Sequence, residues 1–283
     1  MRRVKHYILY LFKILIMLEL SGCTKTITPE LDTSPEKLVV ESLLSNIDEM
    51  QTVRLTKTAP YLSQKNDEPV TNAKVEISSI NKTYRLKEAT KLPGLYYIET
   101  EQFKPIAGTE YKLKIELDKA IGGDSTKNYS SKTKMPPPVK IDSIKLTRLD
   151  THWYISASFK DRGNGTNHYL FDMVKIDENN RYRTADLKII DNRLFRGEYV
   201  EDMIIYTIDK TESTKIESGD IIELSMSSIN SEMYNFIEGV NRETSQIPSH
   251  FAGPPANIKG NISNNALGIF SAENRDTTSL VVQ

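Results

Sequence analysis

Between Lys37 and Met135 apolar and polar residues alternate in short runs separated by turn signals. In TVRLTKT, Val53 and Leu55 alternate with Arg54 and Thr56, the period of a half-buried strand. AKVEISS repeats the pattern with Ala73, Val75 and Ile77, and TYRLKE with Tyr84 and Leu86. GLYYIET opens on a Pro93–Gly94 turn, and EYKLKIEL sets Tyr111, Leu113, Ile115 and Leu117 on one face against charged residues. With KLVVESLL before them and NYSSKTKM after, these runs predict seven strands in about a hundred residues, the density of an Ig-like β-sandwich. No useful helical period interrupts them.

MPPPV, Met135–Val139, marks the boundary. Consecutive prolines donate nothing to a ladder and hold an extended, stiff connection. Beyond it the strand pattern returns in DSIKLTRL and in HWYISASFKD, where Trp153, Ile155, Ala157 and Phe159 share a face. A turn at Asp161–Asn167 (DRGNGTN) leads into HYLFDMVKID, followed by YRTADLKII, EDMIIYTID and DIIELSMSSI. One helix is predicted near 231–246, with Asn230 or Ser231 as its N-cap and Met233, Phe236, Ile237 and Val240 at helical spacing. Its expected role is packing against the second sheet. The expected fold is mainly β: an Ig-like sandwich over 37–135, a proline linker at 136–138, and a β-rich domain with one short helix over 139–283.

The N-terminus breaks this pattern. Arg2, Arg3 and Lys5 precede an apolar stretch from Tyr7 to Leu20, and Ser21 and Gly22 supply small residues before Cys23, the chain's single cysteine. The stretch is interrupted by Lys13 and Glu19 and falls short of the roughly 20 apolar residues a spanning helix needs. It reads as a signal peptide over 1–22 that is removed. One cysteine forms no intrachain disulfide, and nothing near Cys23 would activate its thiol. Lipid attachment explains it better than a free thiol does. The polar stretch 23–36, with two prolines, reads as a tether between the membrane and the first strand.

Composition narrows the function further. Lys and Arg number 37 against 38 Asp and Glu, so the strongly basic face expected of a nucleic-acid binder is not implied. The four histidines, His6, His152, His168 and His250, show no paired spacing for zinc, and no metal or cofactor is expected. The GNG within DRGNGTN is too short for a phosphate loop, and an ordinary hairpin turn explains it better than a calcium loop. No G-x-S-x-G elbow occurs, and a glycosidase carboxylate pair cannot be picked from the 38 acids, so a hydrolase has no motif behind it.

Leu20-Ser21-Gly22-Cys23 resembles the bacterial lipobox, which implies recognition at the first three positions and acylation of Cys23 as the mature first residue. KLVVES…VRLTKTAPY, MPPPVKIDSI and the C-terminal FAGPPANIKGNISNNALGIFSA stand in the order found in domain-of-unknown-function family 4249, lipoproteins of Bacteroidota. That resemblance implies an outer-membrane lipoprotein encoded beside TonB-dependent transporters. It implies no catalytic motif and no functional residue beyond the lipidated cysteine. The expectation is a non-enzymatic binding or accessory module for nutrient uptake, held in the membrane by its lipid and partnered by such a transporter. A structural or adhesive surface protein is the alternative. Tyr96, Tyr97, Trp153, Tyr154 and Tyr169 are candidates for an aromatic ligand platform. Phe251, Pro254, Pro255 and Ile258 mark a loop suited to docking or to packing on the protein's own sheet.

Overall fold

The computed structural model describes residues 35–47, 49–59, 68–123, 125–178, 180–184, 187–209, 216–244 and 258–283. Leu20, Ser21, Gly22, Cys23, His6, His250, Phe251, Pro254 and Pro255 lie outside them. The chain from Pro35 to Gln283 is one compact unit.

In the first half the strands are β1 (Leu38–Ser45), β2 (Gln51–Lys57), β3 (Glu68–Pro69), β4 (Lys74–Ser78), β5 (Thr83–Arg85), β6 (Lys87–Glu88), β7 (Leu95–Ile98), β8 (Glu110–Glu116) and β9 (Asn128–Lys134). The alternation seen in the sequence is the burial pattern: Val53, Leu55, Val75, Ile77, Leu113 and Ile115 are inside. TYRLKE forms two strands, not one. Thr83–Arg85 pairs with β4, Lys87–Glu88 pairs with β7 in another sheet, and buried Leu86 sits at the crossing.

The second half supplies β10 (Ile141–Leu149), β11 (His152–Lys160), β12 (His168–Ile176), β13 (Arg181–Arg183), β14 (Lys188–Asp191), β15 (Tyr199–Asp209) and β16 (Ile221–Ile229). Helix α1 (Ser231–Thr244) and the fifteen-residue strand β17 (Leu267–Val281) complete the fold. Asn230 is the N-cap: its Oδ1 accepts from Met233 N at 2.9 Å. Its amide also donates to Thr133 Oγ1 at 2.8 Å, and Ser271 Oγ donates back to Oδ1 at 3.1 Å.

A ten-stranded sheet, β13-β12-β16-β17-β1-β2-β7-β6, runs the length of the molecule, with β14 beside β12 and β3 beside β2. The four-stranded sheet β5-β4-β8-β9 covers one half of its inner face and the three-stranded sheet β10-β11-β15 the other. There are accordingly two cores. One gathers Val40, Leu55, Ile77, Tyr96, Leu113 and Phe270; the other gathers Ile155, Phe159, Tyr169, Phe171, Leu224 and Met226. Pro136–Pro138 lies in the chain between them. The two halves nonetheless share a strand, because residues 267–273 of β17 pair with β1 in parallel and 273–281 pair with β16 in antiparallel fashion.

At this handover both edges of β17 lose a backbone partner, and an asparagine amide replaces it on each side. Asn46 exchanges two hydrogen bonds with the backbone of Arg275, at 2.9 and 2.6 Å. Asn261 does the same with Phe270, at 2.8 and 2.9 Å. Glu273, the residue paired to both neighbours, is 1% exposed and faces Arg275 at 2.7 Å. The backbones pack tightly here. At Gly268 (φ +88°) a Cβ would fall 2.0 Å from the Val40 carbonyl oxygen, so only glycine fits.

Candidate functional site

Helix α1 lies on the outer face of the ten-stranded sheet, away from both cores, where Ile237 packs on Leu170 and Ile229. A groove of about 790 Å³ runs beneath it, lined by Val39, Leu43, Leu95, Met233, Phe236, Ile258, Leu267 and Ile269. Ile258 also abuts Gly239 of α1, and Ile262 is buried in the first core. These residues of the C-terminal loop pack on the protein itself.

The most highly organised polar cluster is at the Asp161–Asn167 turn. Asp161 follows β11 and is 1% exposed. Its Oδ2 accepts from Gly163 N (2.9 Å), Gly197 N (2.7 Å) and Asn192 Nδ2 (3.0 Å). Its Oδ1 accepts from Asn167 Nδ2 (3.0 Å) and from the Tyr169 hydroxyl. Burial alone would raise this carboxyl's pKa. The bonds from Tyr169, Gly197, Asn192 and Gly163 outweigh it and hold the group well below the usual carboxylate range. Burial, and the carboxylate beside it, push the Tyr169 phenol well above its ordinary value. Every partner of the Asp161 carboxylate is an N–H or O–H donor, so the pocket is built for an anion and would repel a cation. Asp161 itself is that anion.

This carboxylate clamps two loops, 161–167 and 192–198. They touch where two bare backbones pass: a Cβ on Gly163 (φ +75°) would lie 3.2 Å from the Gly197 Cα. Asn192, fully buried, accepts from Asn167 N (3.0 Å) and donates to the Gly165 carbonyl (3.1 Å). Arg162 ties the turn to the proline run, donating to the Pro137 carbonyl (2.8 Å) and to Asn167 Oδ1 (2.7 Å). Below, the Phe195 ring lies edge-on to Phe159 (5.8 Å) and stacked beside Tyr169 (6.4 Å). Above, Leu194 is 97% exposed, and Arg193 and Arg196 of the same loop are exposed as well. After the GNG the chain enters a strand, not a helix, and among the described residues no helix N-terminus faces this turn. Nor is the turn the expected hairpin, because β12 pairs with β13, β14 and β16 while β11 pairs with β10 and β15 in another sheet.

The aromatic candidates are not brought together. Tyr96 and Tyr169 are buried in different cores, and Trp153 packs at the edge of the second core under Arg148. Tyr97 is half-buried on β7 and Tyr154 on the opposite face of β11 from Trp153. The platform reading failed because alternation places aromatics inside as readily as outside. His152 stacks loosely on Tyr154 (6.2 Å), and His168 on Tyr234 of α1 (4.5 Å). Burial lowers the His168 pKa against the pull of Asp191 and Glu232. Among the described residues no group of three or more His, Cys, Asp or Glu is placed to hold a metal.

Two β-sandwich-like cores on one shared sheet, with paired loops locked by a buried carboxylate, define the class of protein. The chain belongs to the family described as "Domain of unknown function (DUF4249)", whose sequence profile matches residues 24–279. No curated protein matches it. Among solved structures it is similar to the FN1–FN3 domains of chicken CNTN1, at 12% identity and a TM-score of 0.32. That match covers 70% of this chain and 63% of the other, so the chain spans less than two thirds of the relative.

Proposed function

We propose that this chain is an outer-membrane lipoprotein, anchored through Cys23, which works by binding and not by catalysis, as an accessory of a TonB-dependent transporter. The observation that carries the binding reading is the clamped loop pair 161–167 and 192–198. Leu194 stands out on a turn whose next residue, Phe195, is partly buried against the second core and whose backbone is tied to Asp161. A side chain presented so rigidly loses little conformational freedom on docking. Arginine, which the loop carries on both sides of Leu194 at 193 and 196, is among the residue types that dominate interface energies.

Support for the membrane and the transporter comes from the LSGC leader motif and the family resemblance. No described helix is long and apolar enough to cross a membrane. A lipid anchor would raise the effective concentration near an integral partner, so a modest interface suffices. The test places a photoreactive side chain at position 194 in native membranes and compares recovery with Leu194→Ser. An adduct with an integral transporter, together with loss of co-purification in a serine variant that melts normally, is the expected result. No transporter recovered by the wild type overturns the partnership. Equal recovery by the variant moves the contact off these loops.

A further inference from the structure

The four-stranded sheet turns one face to its core and the other to solvent. On the solvent face β8 presents Glu110, Lys112, Lys114 and Glu116, and β9 presents Lys132 and Lys134. The register sets Lys112 directly opposite Lys132, an arrangement of like charges that costs stability on a strand pair. With Lys74 and Glu76 of β4 and Arg85 of β5, the face carries six basic residues against three acidic ones. The register also sets Lys114 opposite Glu76 and Lys134 opposite Glu110, but among the described residues the closed ion pair on this face is Lys74–Glu76 at 3.1 Å, and Lys112 and Lys132 have no acidic residue opposite them.

Protection of a sheet edge does not explain these lysines. β8 is a central strand. The outer side of β9 is covered by residues 261–264, with Ser263 N donating to the Ser130 carbonyl at 2.9 Å and Asn264 Nδ2 to the Asn128 carbonyl at 2.7 Å. The point where the described chain enters the fold adds a second argument. A Cβ on Gly122, in the β8–β9 connection, would fall 2.1 Å from the Glu36 carbonyl oxygen, so the chain enters the fold at one end of this sheet. Residues 24–34 reach about 35 Å when fully extended, more than the roughly 23 Å length of β8.

We propose that this lysine face docks on the anionic phosphate headgroups of the membrane that holds the anchor. The inference rests on the membrane anchoring proposed above. Each lysine near an anionic surface gains attraction that dies away within a Debye length. The attraction is therefore short-ranged and binds an untethered chain weakly, while in the cell the anchor supplies the proximity that lets the face orient the protein on the membrane.

The test uses residues 24–283 produced without leader or acyl chain, so an unacylated Cys23 in the cell and a non-binding face remain distinct results. Co-sedimentation is measured with neutral phosphatidylcholine vesicles and with vesicles carrying about 30% phosphatidylglycerol, at about 50 and 300 mM salt. Expected are binding to the anionic vesicles alone, weakened by salt, and about 20-fold weaker binding by Lys112→Ser/Lys132→Ser. The Lys112→Arg/Lys132→Arg variant keeps its binding, and the serine variant melts no lower than wild type because a like-charge pair is gone. Equal binding to neutral vesicles, or no loss in the serine variant, overturns the inference. So does binding to soluble dextran sulfate without binding to vesicles.

Discussion

Replacing Asp161 tests whether the loop pair is held as described. Asp161→Ala removes the acceptor for five donors. Gly163 N and Gly197 N are only half-buried, so water can replace the carboxylate there. Asn167, Tyr169 and Asn192 are buried, and each orphaned donor costs about 1–3 kcal/mol. Relief of the carboxylate's own desolvation offsets part of that, leaving a net loss of about 3–5 kcal/mol. This is a large share of the roughly 5–15 kcal/mol that keeps a domain folded. Asp161→Asn keeps the shape but turns an amide toward donors, and about 2 kcal/mol is expected. Urea unfolding at neutral pH should rank wild type above Asn above Ala.

The pH dependence gives an independent check on the same group. The folded pKa is depressed, so its stabilisation is complete above the unfolded value of about 3.9 and is lost as pH falls toward the folded one. The gap between wild type and Asp161→Asn should therefore narrow below about pH 4. A loss under about 1 kcal/mol in the alanine variant would refute the network's structural weight. A gap unchanged between neutral pH and about pH 3 would refute its ionised state.

Two further outcomes follow from single residues. Asn230→Ala removes the α1 cap and the bridges to Thr133 and Ser271, and should cost about 1–2 kcal/mol in thermal unfolding; no shift in melting would show the cap to be redundant. Cys23→Ala should release nearly all of the protein from detergent-phase membrane fractions, since more than one acyl chain is needed for firm anchoring. Unchanged retention would end the lipoprotein reading.

Most strands of the first half were legible because one face of each is wet, which makes the alternation visible. β17 was not. Its residues 269–274 are buried on both faces, so LGIFSAENRDTTSLV shows neither a period nor an apolar run, and the strand that unites the halves went unread. The split of TYRLKE was hidden for a related reason: Tyr84 and Leu86 both face inward, and alternation does not reveal a change of sheet at Leu86. YRTADLKII likewise divides into β13 and β14, both on the same edge of β12. At the Asp161 turn the sequence reading found the glycines and the turn. Asn192 and Gly197, which complete the cluster from some thirty residues away, follow no local spacing that would mark them.

The polar residues missed in this way share a physical role. At four places among the described residues where the backbone leaves a regular ladder, a side chain takes over lost hydrogen bonds, because an unpaired buried peptide group costs more than the bond itself returns. Asn46 and Asn261 do so where β17 changes partner, Asn230 where the helix begins, and Asp161 with Asn192 where two loops meet under Leu194. At the first three places the amide completes an element that the surrounding strands already fix. At Asp161 no ladder is being completed: an ionised group is buried to hold irregular loops in one shape. β11 and β12 belong to different sheets, so no ladder between them fixes the 161–167 connection, and the shape of the loops, with the exposed side chain they carry, is what the buried charge serves.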